Sequence, residues 1–231
     1  MSRLDVSELV KTLGEGGIDD ASAVLRGVTF SIDAGECLGL KGATGAGKST
    51  LLRIIAGLLQ PDSGEVRIDG EIVSSRTVHV PPQTRGVGLV FQNLGLWPHL
   101  TVKGHLDYVL SASTPSKADR LSRRDEIIDT FVLEGLQDRY PAQLSGGERH
   151  LLAMARAFCG NIRLLLLDEP FTGLDGALKA RVFDTLRRER ARRRLTTLLV
   201  THDNDEMKGF CDRIEHLNEG RIMERLVKSG G

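Results

Sequence analysis

Gly42-Ala43-Thr44-Gly45-Ala46-Gly47-Lys48-Ser49-Thr50 is the stretch that decides the fold of this chain. It follows the short apolar run Cys37-Leu38-Gly39-Leu40. It precedes Leu51-Leu52-Arg53-Ile54-Ile55-Ala56, whose apolar residues recur at helical spacing. Strand, glycine-rich loop and helix in that order are the context the G-x-x-x-x-G-K-[ST] phosphate loop requires. Glycines let backbone N–H groups converge on phosphate oxygens without a Cβ in the way. The helix starting near Gly47 adds unpaired amides and the positive end of its dipole. Lys48 then reaches the β- and γ-phosphates, and the Ser49 hydroxyl holds Mg²⁺. A glycine turn capping an ordinary helix is the plainer alternative, and the flanking pattern argues against it. The stretch predicts that Gly42 to Thr50 bind a nucleoside triphosphate.

Around that loop, composition sets bounds. The 231 residues are 40% hydrophobic, which suits one globular domain able to carry an inserted subdomain. Lys plus Arg and Asp plus Glu balance at 31 each, so no global field draws in nucleic acid or an acidic membrane. Cys37, Cys159 and Cys211 are widely spaced and form no C-x-x-C pair. They predict neither a disulfide framework nor a zinc site, and a reducing cytosolic compartment fits them. Met1 to Glu8 lack the apolar core of a signal peptide, and no segment reaches the ~20 uninterrupted apolar residues of a membrane span. Work at a membrane would need another chain to do the spanning.

The pattern along the chain predicts an α/β core of mostly parallel sheet with an antiparallel β part at its N-terminus. Val24 to Ile32 alternates weakly, after Gly14, Gly16 and Gly17. Glu65 to Gly70 reads as an alternating strand ending in a turn. Val87 to Phe91, Leu164 to Leu167 and Thr197 to Val200 are apolar runs, as expected of strands buried on both faces. Between them the sequence turns helical, over Val102–Ser111, Asp125–Leu133 and Gly146–Cys159, with a polar break at Ser111 to Ser116. Residues 1–92 and 160–231 are thus assigned to the core and 93–159 to a helical insertion.

Leu164-Leu165-Leu166-Leu167-Asp168-Glu169-Pro170 is the second strong signal. The carboxylates stand just past the C-terminal end of a buried strand, where parallel α/β sheets place their ligands. Asp168 is expected to hold Mg²⁺ through water, as a Walker-B Asp does, and Glu169 to orient or deprotonate a water attacking the γ-phosphate. Ser145-Gly146-Gly147-Glu148 reads first as a capping box. Capping explains Ser145 and Glu148 but not Gly146 and Gly147, each costing ~1 kcal/mol relative to Ala inside a helix. Two glycines there predict a close approach to the backbone, for which an anion at a helix N-terminus qualifies.

Taken together, Gly42–Thr50, Gln92, Leu144–Glu148, Leu167–Pro170, Gly173-Leu174-Asp175 and Thr201-His202-Asp203 make the chain resemble the nucleotide-binding subunit of an ATP-binding-cassette (ABC) transporter. The match runs in order over nearly the whole chain. The resemblance implies a P-loop ATPase domain, two copies of which pack head to tail. Each ATP then lies between the phosphate loop of one copy and Ser145, Gly146, Gly147 and Glu148 of the other. It further implies that Gln92 contacts Mg²⁺ and the attacking water, that His202 bridges the γ-phosphate and the catalytic carboxylate, and that Asp175 contacts the opposite subunit.

This chain also departs from the family pattern. Leu13 stands where the family usually stacks adenine on an aromatic, an interaction worth ~1–3 kcal/mol. Thr44 replaces the commoner Ser and keeps a hydroxyl. Glu148 replaces the commoner Gln, and capping is expected to turn its carboxylate back toward its own helix start. Arg187 to Arg194 holds a cluster of arginines, but Leu178, Val182 and Leu186 recur every four residues. An amphipathic helix with cations at its C-terminal end explains them better than contact with nucleic acid.

The resemblance implies a cytoplasmic Mg²⁺-dependent ATPase subunit, peripheral on the inner face of the membrane, that powers a transmembrane permease. Gln92 to Val102 resembles the segment of solute-importer cassettes that edges the groove for a coupling helix of the permease. Leu94, Leu96 and Trp97 either present apolar surface there or fill the core of the helical insertion. The alternatives are a soluble ABC ATPase acting on DNA or ribosomes and an ATP-dependent binding module with little turnover. The first typically fuses two cassettes or carries a long coiled coil, neither found here, and intact Glu169 and His202 speak against the second. The chain is also expected to lack the C-terminal regulatory domain of some importer ATPases.

Overall fold

The computed structural model describes residues 2–13, 23–113 and 116–223. Gly14, Gly16 and Gly17 lie outside the described residues. Strands β1 (Leu4–Thr12), β2 (Ala23–Ile32), β4 (Ser63–Ile68) and β5 (Glu71–Ser75) form an antiparallel sheet in the order β2-β1-β4-β5. The second sheet has six strands. β3 (Cys37–Lys41), β6 (Val87–Val90), β7 (Leu164–Asp168), β8 (Thr196–Val200), β9 (Arg213–Asn218) and β10 (Arg221–Met223) run in the order β10-β9-β3-β8-β7-β6. All its pairings are parallel except β9 with β10.

Alternation along these strands divides the core in two. On β7, Leu164 and Leu166 join α1 (Lys48–Ala56) and the antiparallel sheet. Leu165 and Leu167 face the opposite side, with apolar residues of five further helices: α2 (Val102–Ser113), α3 (Lys117–Thr130), α4 (Gly146–Phe158), α5 (Gly176–Arg193) and α6 (Asn204–Phe210). Period-2 side-chain direction thus explains why a run of four leucines is buried throughout.

Two expectations need correction. Val87 to Phe91 is not buried on both faces: β6 is the last strand of its sheet, and Val87 and Leu89 are only half-buried. The second helix of the insertion is not Asp125–Leu133 but α3, which starts much earlier because the Ser116 hydroxyl accepts from the Asp119 N–H. It stops before Leu133 because Val132 has φ 53°, which no helix accommodates.

Three of the arginines at the end of α5 have partners within the chain, while Arg187, Arg188 and Arg194 are exposed. Arg190 pairs with Asp212, Arg192 and Arg193 with Glu189, and Arg193 lies over the Phe158 ring. Among the described residues no helix is long and apolar enough to cross a membrane.

Candidate active site

Parallel pairing aligns the C-terminal ends of β3, β8, β7 and β6. Leu40 is level with Val200, Asp168 with Val200, and Val90 with Leu167. The residues that follow, from Gly42, Thr201, Glu169 and Gln92 onward, therefore leave from one edge of the sheet. Chain direction alone brings together what the sequence keeps up to 159 residues apart.

Between β3 and α1 the loop is built by its neighbours. A Cβ on Gly42 would lie 2.2 Å from the Leu217 carbonyl oxygen. Gly47 has φ 102° and would meet the Val24 carbonyl at 2.7 Å, so both the conformation and the space require glycine. The Ala46 methyl and the Thr50 side chain are buried, whereas Ala43, Thr44 and Gly45 are exposed at the crown. The Lys48 ammonium donates to the carbonyls of Gly42 and Ala43, both at 2.8 Å.

The start of α1 is unlike that of other helices. Ser116, Ser145, Asp175 and Asp203 cap α3, α4, α5 and α6 with their side chains, while Gly47 gives α1 no side-chain cap and no acid follows in its first turn. Its leading N–H groups and dipole are left for an external anion.

Facing this helix, Asp168 is buried, and desolvation raises its pKa, although a Ser49 hydrogen bond works the other way. A carboxylate so placed favours a nearby cation. Its chain neighbour Glu169 has φ 51°, in the left-handed region. The Glu169 carboxylate accepts from Thr172 Oγ1 at 3.0 Å and lies 2.9 Å from His202 Nδ1. That contact raises the pKa of His202, whose ring is otherwise exposed. Thr172 carries no sequence signal; it is an ordinary turn residue three positions after Glu169.

Ser145 and Glu148 form the capping box expected of them. The Glu148 carboxylate accepts from the Ser145 N–H at 2.6 Å, and Ser145 Oγ accepts from the Glu148 N–H at 3.2 Å. The glycines divide. A Cβ on Gly147 would lie 2.0 Å from Leu178 Cδ2, so α5 of the same chain already makes a close approach there. At Gly146 the nearest atom would be 3.9 Å away. Asp175 accepts from the Leu178 N–H at 2.9 Å and so starts α5. Gln92 and Leu13 are exposed.

The sequence profile of the ABC transporter family matches residues 25–172. The chain belongs to the ABC transporter family. This ABC protein is 45% identical over 195 residues to the sulfate/thiosulfate import ATP-binding protein CysA of Mycolicibacterium paratuberculosis, a match over 84% of this chain and 53% of that one. It is 40% identical over 199 residues to the sn-glycerol-3-phosphate import ATP-binding protein UgpC 1 of Rhizobium johnstonii, over 86% and 53% of the two chains. It spans about half the length of these curated relatives. A dimeric structure of a post-hydrolysis state of the ATP-binding cassette MJ0796 bound to ADP and Pi superposes with a TM-score of 0.84 at 29% identity, over 96% of this chain and 98% of that one.

Proposed function

We propose that this chain is the ATP-hydrolysing subunit of a solute importer, working on the inner face of a membrane with a second cassette and permease subunits. The observation that carries this is the uncapped start of α1 on the sheet edge that also bears Asp168, Glu169 and His202. Backbone N–H groups from Gly42 to Thr50 bind the phosphates, and Lys48 leaves its loop carbonyls for the β- and γ-phosphate oxygens.

Ser49, Gln92 and Asp168 offer hydroxyl, amide and carboxylate oxygens, a hard donor set that suits Mg²⁺. When bound, Mg²⁺ neutralises phosphate charge. Glu169, held by Thr172 and His202, takes a proton from the attacking water. His202 stands beside it to meet the γ-phosphate. Across a head-to-tail dimer, Ser145, Gly146, Gly147 and Glu148 of the second copy close over the same ATP, with Asp175 at the contact. The capping box leaves Ser145 and Gly146 exposed for this.

A groove of about 1020 Å³ beside β6 supports the permease contact. Trp97, Tyr108, Phe91 and Leu89 line it. Leu96 instead packs on the helical core, whereas Trp97 lines the groove. Equilibrium ATP binding and phosphate release by the purified chain, beside Lys48→Ala, test the proposal. Both activities should be present and should vanish in the variant. A chain that neither binds nor hydrolyses ATP overturns it.

A further inference from the structure

His105, on α2, is wholly buried, and both of its ring nitrogens are engaged. Nδ1 lies 2.8 Å from the Thr101 carbonyl oxygen, and Nε2 lies 2.9 Å from the backbone nitrogen of Trp97. A carbonyl can only accept and an amide N–H can only donate. The partners therefore fix one neutral tautomer, with the proton on Nδ1 and the lone pair of Nε2 toward Trp97. A second proton, on Nε2, would set donor against donor in a site closed to water.

What this bond holds is the loop after β6. The Trp97 ring lies 5.3 Å from that of His105 and 5.1 Å from that of Tyr108. The Arg156 guanidinium sits 5.0 Å from its centroid and donates to the carbonyls of Leu94 and Gly95. Arg156 and His105 are thus two pins on the segment that begins at Gln92 and forms one wall of the groove. Only one of the pins can change charge near neutral pH.

The surroundings oppose that change. Burial disfavours a cation on His105 most, the Thr101 carbonyl acts the other way, and Arg156 of α4 and His99 of the loop add to the effect of burial. On α2 itself, Asp107 is turned to Arg124 of α3.

We propose that His105 is a positioning residue, which as a neutral acceptor pins Trp97 and the Gln92–Leu100 loop to α2 and on taking up a proton releases them. The consequence for hydrolysis and permease docking rests on the importer reading above; the tautomer and the release do not.

Trp97 is the only tryptophan in the sequence, so its emission reports this contact directly. The experiment is an acid titration of the intact chain followed by tryptophan emission, with circular dichroism to verify that the fold persists. Wild type should show a one-proton step with its midpoint below that of a free imidazole. His105→Gln, whose amide oxygen can accept from Trp97 but takes up no proton, should keep the neutral-pH emission and lose the step. His99→Gln should retain it. A step that survives in His105→Gln, or is missing from wild type, overturns the proposal. Should His105→Gln fail to fold, the imidazole ¹⁵N shifts of wild type decide. A proton on Nδ1 of the buried ring supports the proposal, and a proton on Nε2 overturns it. ATP hydrolysis should fall across the same step in wild type. An emission step in a chain that hydrolyses no ATP at any pH would leave His105 standing and bring down the importer reading instead.

Discussion

His202 Nδ1 lies 2.9 Å from a Glu169 carboxylate oxygen, tying the end of β8 to the end of β7 one strand away. Glu169→Gln keeps the shape of this contact but cannot take a proton. ATP binding should persist while phosphate release falls by ~10²–10⁴-fold, the usual cost of losing a general base. Turnover close to wild type would falsify the role given to Glu169.

The same pair sets the titration of His202. A hydrogen bond and the negative charge of Glu169 raise its pKa, so while the carboxylate is ionised the imidazolium–carboxylate contact is complete below the pKa of an ordinary imidazole and is lost as pH rises through the raised value. In Glu169→Gln the titration of His202 should move down toward that of an ordinary imidazole. Proton NMR of the ring hydrogens measures it, and an unmoved titration would show that the contact is absent in solution.

Lys48 and Ser145 should serve one ATP from different copies. A Lys48→Ala chain mixed with a Ser145→Arg chain gives heterodimers with one doubly damaged site and one intact site. The mixture should recover hydrolysis that neither parent shows. Heterodimers that form yet stay as inactive as the parents, under conditions where wild type hydrolyses ATP, rule out independent composite sites.

Gly146 and Gly147 should respond differently to alanine. Gly146→Ala meets no close neighbour and should gain up to ~1 kcal/mol of helix stability. Gly147→Ala forces Leu178 to move, and crowding of this kind costs ~1–3 kcal/mol. Urea unfolding should therefore rank Gly147→Ala below Gly146→Ala. The reverse order would mean that Leu178 yields freely.

Leu13 is exposed at the end of β1. If it faces the base, Leu13→Tyr should tighten ATP binding by about 1 kcal/mol, the low end of base–aromatic stacking. An unchanged dissociation constant would show that the base lies elsewhere.

Much of this was legible in the sequence because chemistry and strand ends coincide. The apolar runs Cys37 to Leu40 and Leu164 to Leu167 give way abruptly to charged or glycine-rich residues, and that change places those residues at a sheet edge. Tertiary context hid the rest. Val87 to Phe91 looks like a central strand, and nothing local says that the sheet ends there. Nothing near Gly147 in sequence says that Leu178, 31 positions away, already requires a glycine there. His105 gives no signal at all, since its partners are backbone atoms.

The end position of β6 has a consequence for handling the protein by itself. An outermost strand offers unpaired backbone groups to any other chain, a known route to aggregation. Here that strand is only four residues long, and a Cβ on Gly88, in its middle, would lie 2.6 Å from a carbonyl of α4. So short and so closely backed a rim is a poor template for a foreign strand, and the groove beside it can stay open without recruiting stray chains.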